Sequence, residues 1–442
     1  MYDELTSRYK LSLISNFHTK VQQEFPYQSR MIVSIERTEM KGVIFMPIKE
    51  IDLFSKQFHQ NPYEYYKDIR PHHAFAKVRM FEGHNSSWLA FTYEAAEKVL
   101  RDERFIKDMR TVFPGEITDA NVPPIGQSML FVDPPDHRRL RNLVAKGFAP
   151  KKIKALSGRI EEIAKEEAQR MGRNKDVDFI EDYAFPIPIR VICELLGVPS
   201  EDQHLFQRWS KVLVDIVTEE QYEQSMIEFM AYLESLIHQR RSEPKEDLLT
   251  DLILAEEEGE RLSVRELYGV VMLLIVAGHE TTVNLIANGL LALLTHPEQA
   301  QLLKEEPERM GQAIEEFLRY NGPVEFSTDR WARESFTFMG QRVEKGDHVI
   351  VSLASADHDS EEFEKPEQFD IKREKSPHLA FGKGIHYCLG APLARLEAEI
   401  AMRVLLEQFP NIRLAVDLSE LEWRQSFIIR GLKRFPIKLT SL

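Results

Sequence analysis

Residues 263–294 read as one helix with a stretch, 270–277, that has no polar side to turn toward water. Ser263 and Glu266 are spaced as a capping box, each satisfying a backbone donor beside the other. The helical pattern runs to about Leu294, ahead of Thr295-His296-Pro297. At 1.5 Å per residue such a helix spans about 50 Å. Residues 270–277 are apolar all round, so the element must be enclosed on every side. No stretch reaches roughly 18 uninterrupted apolar residues, which argues against a membrane span. A large helical body has to surround this helix, and 442 residues suffice for one large domain or two ordinary ones.

The rest of the chain predicts such a body. Residues 75–80 and 88–91 flank Gly83-His84-Asn85 and read as a hairpin. Residues 105–128, rich in Pro, Gly and polar side chains, read as a long loop. Asp133-Pro134-Pro135-Asp136 reads as the capped opening of a helix. Helical periodicity dominates to about residue 320. Short strands are expected over 326–353 and 426–438, with turns at Gly340, Gly346 and Gly431. The expected class is mainly α with small β-sheets.

Charge and cysteine content narrow the function. A net charge of −14 argues against nucleic acid as a partner. Asp3, Glu4, Arg8 and Lys10 have no apolar core behind them, unlike a secretory leader, so a cytoplasmic protein without a membrane anchor is expected. The two cysteines, Cys193 and Cys388, cannot form a disulfide framework or a Cys-rich zinc site. Cys193 lies in an apolar run and reads as a core residue.

Three motifs carry chemistry. Within the buried helix stand Gly278-His279-Glu280-Thr281-Thr282, and an acid among hydroxyls in a core helix is costly unless paired. They form either a polar stripe facing another helix or a site for moving protons. Ala277 and Thr281 share a face, and a Thr hydroxyl can bond the carbonyl four residues back. Residues 381–390, Phe-Gly-Lys-Gly-Ile-His-Tyr-Cys-Leu-Gly, set Cys388 among three glycines just before a helix with Pro392 in its first turn. Backbone N–H groups at a helix N-terminus favour a thiolate. A cysteine-protease nucleophile would need a general base, and none is suggested. Glu316 and Arg319 are spaced i,i+3, which alone means little.

Together these motifs resemble the cytochrome P-450 superfamily of the soluble bacterial type. The cysteine loop fills each key position of that family's Phe-Gly-x-Gly-x-His/Arg-x-Cys-x-Gly signature. Ala277 to Thr281 match its oxygen-activation motif. Glu316 and Arg319 match its Glu-x-x-Arg helix, with Arg373 as third partner. The likeness covers roughly residues 46–442, leaving 1–45 as a loosely attached N-terminal extension. It implies a triangular helical prism with a β-rich portion. It also implies haem b (iron protoporphyrin IX) with Cys388 as axial iron ligand. Phe381, Gly382, Gly390 and Ala277 would lie against the macrocycle. His137, Arg141, Arg330 and His386 would meet its propionates.

The implied reaction inserts one oxygen atom from dioxygen into a hydrophobic small molecule. Glu280 would gate protons and Thr281 would hold the oxygen. A peroxide-driven peroxygenase and a non-catalytic haem sensor are the alternatives, and the intact Glu280-Thr281 pair argues against both. The implied pocket wall includes Phe113, Val276, Val324, Phe326, Phe427 and Ile428, an apolar set suited to a fatty acid, terpenoid, steroid or polyketide. No flavin or iron–sulfur motif is present, so electrons would come from an acidic ferredoxin or flavodoxin with its reductase. Residues 137–155 hold Arg138, Arg139, Arg141, Lys146, Lys151, Lys152 and Lys154 with no acid among them. The resemblance puts that segment on the cysteine side, and Arg139, Lys146 and Lys151 are candidate docking residues.

Overall fold

A computed structural model describes residues 51–53, 55–79, 86–119, 122–214, 218–257, 262–374 and 376–439, together with the short strand Ile32–Val33. The long helix is Val264–Thr295, opened by the Ser263–Glu266 capping box with both bonds present. Around it pack the helices Pro186–Leu196, Met310–Asn321 and Ala391–Gln408, and a single 3-10 turn, Pro124–Gln127. Among the described residues it is the one helix long and apolar enough to cross a membrane. However, 78% of its most apolar window is buried inside the protein. Burying each Leu, Ile or Val fully contributes about 1.5–3 kcal/mol, so this helix is the centre of the core.

A five-stranded sheet forms the β-rich portion, in the order Phe75–Arg79, Ser86–Ala90, His348–Val351, Arg330–Ala332 and Phe105–Ile106. Only the pairing of Ser86–Ala90 with His348–Val351 is parallel. The hairpin predicted from residue 75 is therefore present, although its turn lies outside the described residues. A three-stranded sheet joins Arg413–Leu414, Pro436–Lys438 and Val177–Asp178. Of residues 1–45 the structure describes only Ile32–Val33, which pairs antiparallel with Ile51–Asp52.

Three expectations need correction. The stretch 105–128 is not one loop. It holds the strand Phe105–Ile106, the helical turn Met109–Val112 and the turn Pro124–Gln127. Asp133 does not cap the helix after it, which runs Asp136–Ala145 with no side-chain cap. Its carboxylate instead accepts from the backbone N–H groups of Lys107 and Asp108, at 3.0 and 2.8 Å, tying that strand's end to the helix. Gly431 serves close packing, because a Cβ there would sit 1.9 Å from Asn284 Oδ1.

Candidate active site

The cysteine loop is shaped by its own backbone. Cys388 N–H donates to the Phe381 carbonyl at 2.9 Å, folding the loop back on itself. Gly384 adopts φ +74°, and a Cβ there would meet the Leu100 carbonyl oxygen at 2.5 Å. Only glycine lets the loop lie against the end of the helix Tyr93–Arg101. The Cys388 side is solvent-accessible, yet burial raises its thiol pKa. Both hold if the sulfur lines an internal cleft. Against burial work the N–H groups of Gly390 and Ala391 and the guanidinium groups of Arg141 and Arg395. The expected thiolate-favouring helix terminus is thus real but outweighed, and a metal cation at the sulfur would reverse the balance.

Beside the cysteine lies a buried cluster of cationic and imidazole groups. His137 and His386 have ring centroids 4.4 Å apart. Burial, then nearby cations, push His386 down to about 2, with Lys107 first, then Arg330, His137 and Arg141. His137 falls to about 4, from burial and then Arg141 and Arg138. Burial drives Lys107 well below a lysine's usual range and lowers Arg330 to about 10. His137 Nε2, His386 Nε2 and Arg330 Nε lack any hydrogen-bond partner. Among the described residues no carboxylate is within ion-pair distance of Lys107, Arg141 or Arg330; Lys107 bonds Thr328, Arg330 the Phe105 carbonyl, and Arg141 the Tyr387 carbonyl. Interior cations with idle donors and no carboxylate in ion-pair contact, only Asp133 and Asp329 acting on Lys107 and Arg330 from further off, fit a dianionic ligand. The two carboxylates of a haem would supply that charge, and the neighbouring thiol would offer an iron ligand. Lys107, missed in the sequence because it sat in an apparent loop, belongs to this set.

Halfway along the otherwise buried helix, Ala277 is exposed and Val276, Gly278 and Thr281 are partly so. A helix enclosed on every side that shows accessible residues at its middle must border a cleft there. Thr281 Oγ1 donates to the Ala277 carbonyl at 3.3 Å, as the spacing predicts. Glu280 points away from solvent and bonds Arg424, 144 residues further along, a contact with no local sequence signature.

Glu316, Arg319 and Arg373 form the network that the resemblance implies. Arg319 holds Glu316 through two bonds of 2.8 Å and donates to the carbonyls of Asp357, Pro366 and Gln368. Arg373 Nε reaches Glu316 at 3.1 Å. Glu316 and Arg319 are each 1% exposed, so this is a core network and not a surface pair.

The expected pocket residues divide. Ile428 is exposed, and Val276, Val324 and Phe427 are half-exposed. Phe326 is buried and backs Phe427, stacked at 4.5 Å. Phe113 packs instead with Ile106, Val112 and Trp331 beside the Gly346 turn. On the basic segment Arg139 is committed to Asp136 and Glu266, so it staples two helices. Lys152 faces Asp251 at 3.4 Å. Arg138, Lys146, Lys151 and Lys154 are exposed.

The chain is similar to known proteins in sequence and in fold. A family model described as Cytochrome P450 matches residues 200–412. The chain is 41% identical over 396 residues to the polyketide biosynthesis cytochrome P450 PksS of Bacillus subtilis, covering 87% of this chain and 98% of that one. It is 42% identical over 390 residues to the vitamin D(3) 25-hydroxylase of Pseudonocardia autotrophica, covering 88% and 96%. The structure of PksS superposes with a TM-score of 0.82 at 40% identity, covering 88% of this chain and 100% of that one. A myxobacterial cytochrome P450 in complex with myristic acid gives 0.83 at 38% identity, covering 88% and 99%.

Proposed function

The chain belongs to the cytochrome P450 family and is a haem-dependent monooxygenase of the bacterial type, and from that premise we propose how its residues divide the work. The reaction consumes dioxygen, two electrons and two protons, and yields a hydroxylated hydrophobic molecule and water. Haem, when bound, supplies the binding and reductive activation of dioxygen. Cys388 would bind the haem iron. Phe381, Gly382 and Gly390 on the cysteine loop and Ala277 on the long helix would line the haem site. Lys107, His137, Arg141, Arg330 and His386 would hold the propionates. The observation that carries this reading is the accessible Cys388 beside a buried set of cations with idle donors and no carboxylate in ion-pair contact among the described residues. Haem of type b fits a chain whose two cysteines lie too far apart to form a covalent attachment motif. Glu280 passes protons inward and Thr281 orients the oxygen by its hydroxyl. Val276, Val324, Phe427 and Ile428 form an apolar wall suited to a polyketide- or sterol-like substrate. The reaction takes place in the cytoplasm.

Thr281→Ala tests the division between Glu280 and Thr281. Haem content and substrate binding stay as in the wild type. Product formation falls roughly tenfold, the scale of one hydrogen bond to the reacting centre. Reductant consumed then appears as peroxide, because protons still arrive while the oxygen is no longer oriented. Unchanged product per reductant would remove Thr281 from this role.

Electrons come from an acidic ferredoxin or flavodoxin that docks on the cysteine side. Lys146 and Lys151 are exposed, with no carboxylate within ion-pair distance among the described residues, so they can meet such a carrier. Lys146→Glu with Lys151→Glu slows reduction by an acidic ferredoxin at low salt and leaves substrate affinity intact. Salt slows the wild type too, since exposed charges are screened beyond about 10 Å at 0.1 M. A reduction rate indifferent to both changes would place the docking surface elsewhere.

A further inference from the structure

Among the described residues Glu280 meets two ionisable neighbours. His279 Nε2 stands 3.7 Å from its carboxylate. That imidazole is held neutral by burial, and its Nδ1 bonds the Ile275 carbonyl at 2.7 Å. The other neighbour is the Arg424 guanidinium, which occupies Glu280 Oε1. The Glu280 side chain is 2% exposed and that of Arg424 is 11% exposed. Arg424 is therefore the more exposed member of the pair.

Arg424 is held in place by a hairpin. Arg424 N–H donates to the Gly431 carbonyl and Lys433 N–H to the Glu422 carbonyl, both at 2.8 Å. Trp423 pairs with Leu432 across it. The returning strand is fixed to the long helix: Gly431 lies on Asn284, and Asn288 donates to the Arg430 carbonyl at 3.0 Å. The turn of the same hairpin carries Phe427 and Ile428, with Glu325 N–H bonded to the Ile428 carbonyl. The arginine that meets the acid and the apolar turn at the pocket thus belong to one braced piece.

We propose that Arg424 is a positioning residue that meters proton entry through Glu280. The inference rests on the role given above to Glu280. A carboxylate whose oxygen is occupied by a guanidinium cannot accept a proton there until the two separate. Glu280 is locked in the core, so the guanidinium moves outward. The proton then passes from solvent to the freed oxygen and onward toward Thr281, after which the carboxylate rejoins Arg424. No electron changes hands in this step.

The test uses the haem-loaded protein with a ferredoxin and its reductase under air, without substrate. Reductant oxidation is followed in light and heavy water across pH. Arg424→Gln raises the oxidation rate roughly tenfold, the scale of one charge-assisted bond, and diminishes the solvent isotope effect. Arg424→Lys, which keeps the cation, restores most of the wild-type isotope effect and pH profile. A merely structural arginine would change the melting temperature and leave both unmoved. Should Arg424→Gln not load haem, Arg424→Met, which keeps a long apolar stem, carries the same comparison. Glu280→Gln separates the two levels of the argument. If Glu280→Gln alters the isotope effect and the Arg424 variants do not, Arg424 plays no part. If Glu280→Gln also leaves it unaltered, the acid itself has been misassigned.

Discussion

Cys388→Ser abolishes the red-shifted Soret band of the reduced carbon monoxide complex that the wild type displays. The serine hydroxyl is a hard, weakly acidic oxygen donor, whereas the cysteine sulfur is soft and donates charge to iron. The loop itself is not expected to collapse. Its shape comes from the Cys388 N–H bond to Phe381 and the Gly384 approach to Leu100, which serine leaves intact. The cationic cluster also remains, so some haem is retained through its carboxylates. Turnover falls by about 10²-fold or more, equivalent to roughly 2.7 kcal/mol of lost transition-state stabilisation. A wild-type complex with the Soret position of a histidine-ligated haem would overturn the ligand assignment.

Arg319→Leu has the largest expected effect on folding. The guanidinium holds Glu316 and ties down three backbone carbonyls in residues 357–368, a stretch with almost no regular structure. Removing one partner of a buried ion pair costs about 3–5 kcal/mol when the other charge is left uncompensated, and Arg373, still on Glu316, keeps the cost at the lower end. The Asp357 and Pro366 carbonyls lose their donor and add about 1–3 kcal/mol each, whereas Gln368 keeps Arg373. Against a total stability of about 5–15 kcal/mol, little folded protein should remain. Whatever is recovered should melt at least roughly 4–5 °C lower, given an unfolding entropy of about 2.1 cal/mol/K per residue. Glu316→Gln keeps the shape and two acceptor sites, so it is milder. A soluble Arg319→Leu protein with wild-type haem content and melting temperature would show that the network is dispensable.

What the sequence revealed and what it concealed follow from the range of the interactions. The long helix was legible because capping and periodicity are local: Ser263, Glu266 and the apolar run lie within one stretch of chain. The cysteine loop was legible because its glycines and sulfur act on neighbours. Lys107 was hidden, since a lysine between Ile106 and Asp108 looks like any loop cation until Arg330 and His386 are folded against it. Arg424 was hidden likewise, its partner being set on a helix far back in the chain. Asp133 misled in the opposite way. Its position suggested a helix cap, but the backbone donors it serves belong to residues 107 and 108. Arg139 counted as a free positive charge until Glu266 was brought to it.

The hairpin of residues 422–433 divides the proposed pocket wall into positions open to redesign and positions closed to it. At its crossing with the long helix there is no room for a methyl group, because a Cβ on Gly431 would overlap Asn284. Combinatorial variation aimed at new substrates can therefore be concentrated on Gln425, Ser426, Phe427 and Ile428, with Arg430 and Gly431 kept as the hinge pins of an exchangeable cassette. A library that also randomises Gly431 would lose most of its members to misfolding before any of them met a substrate.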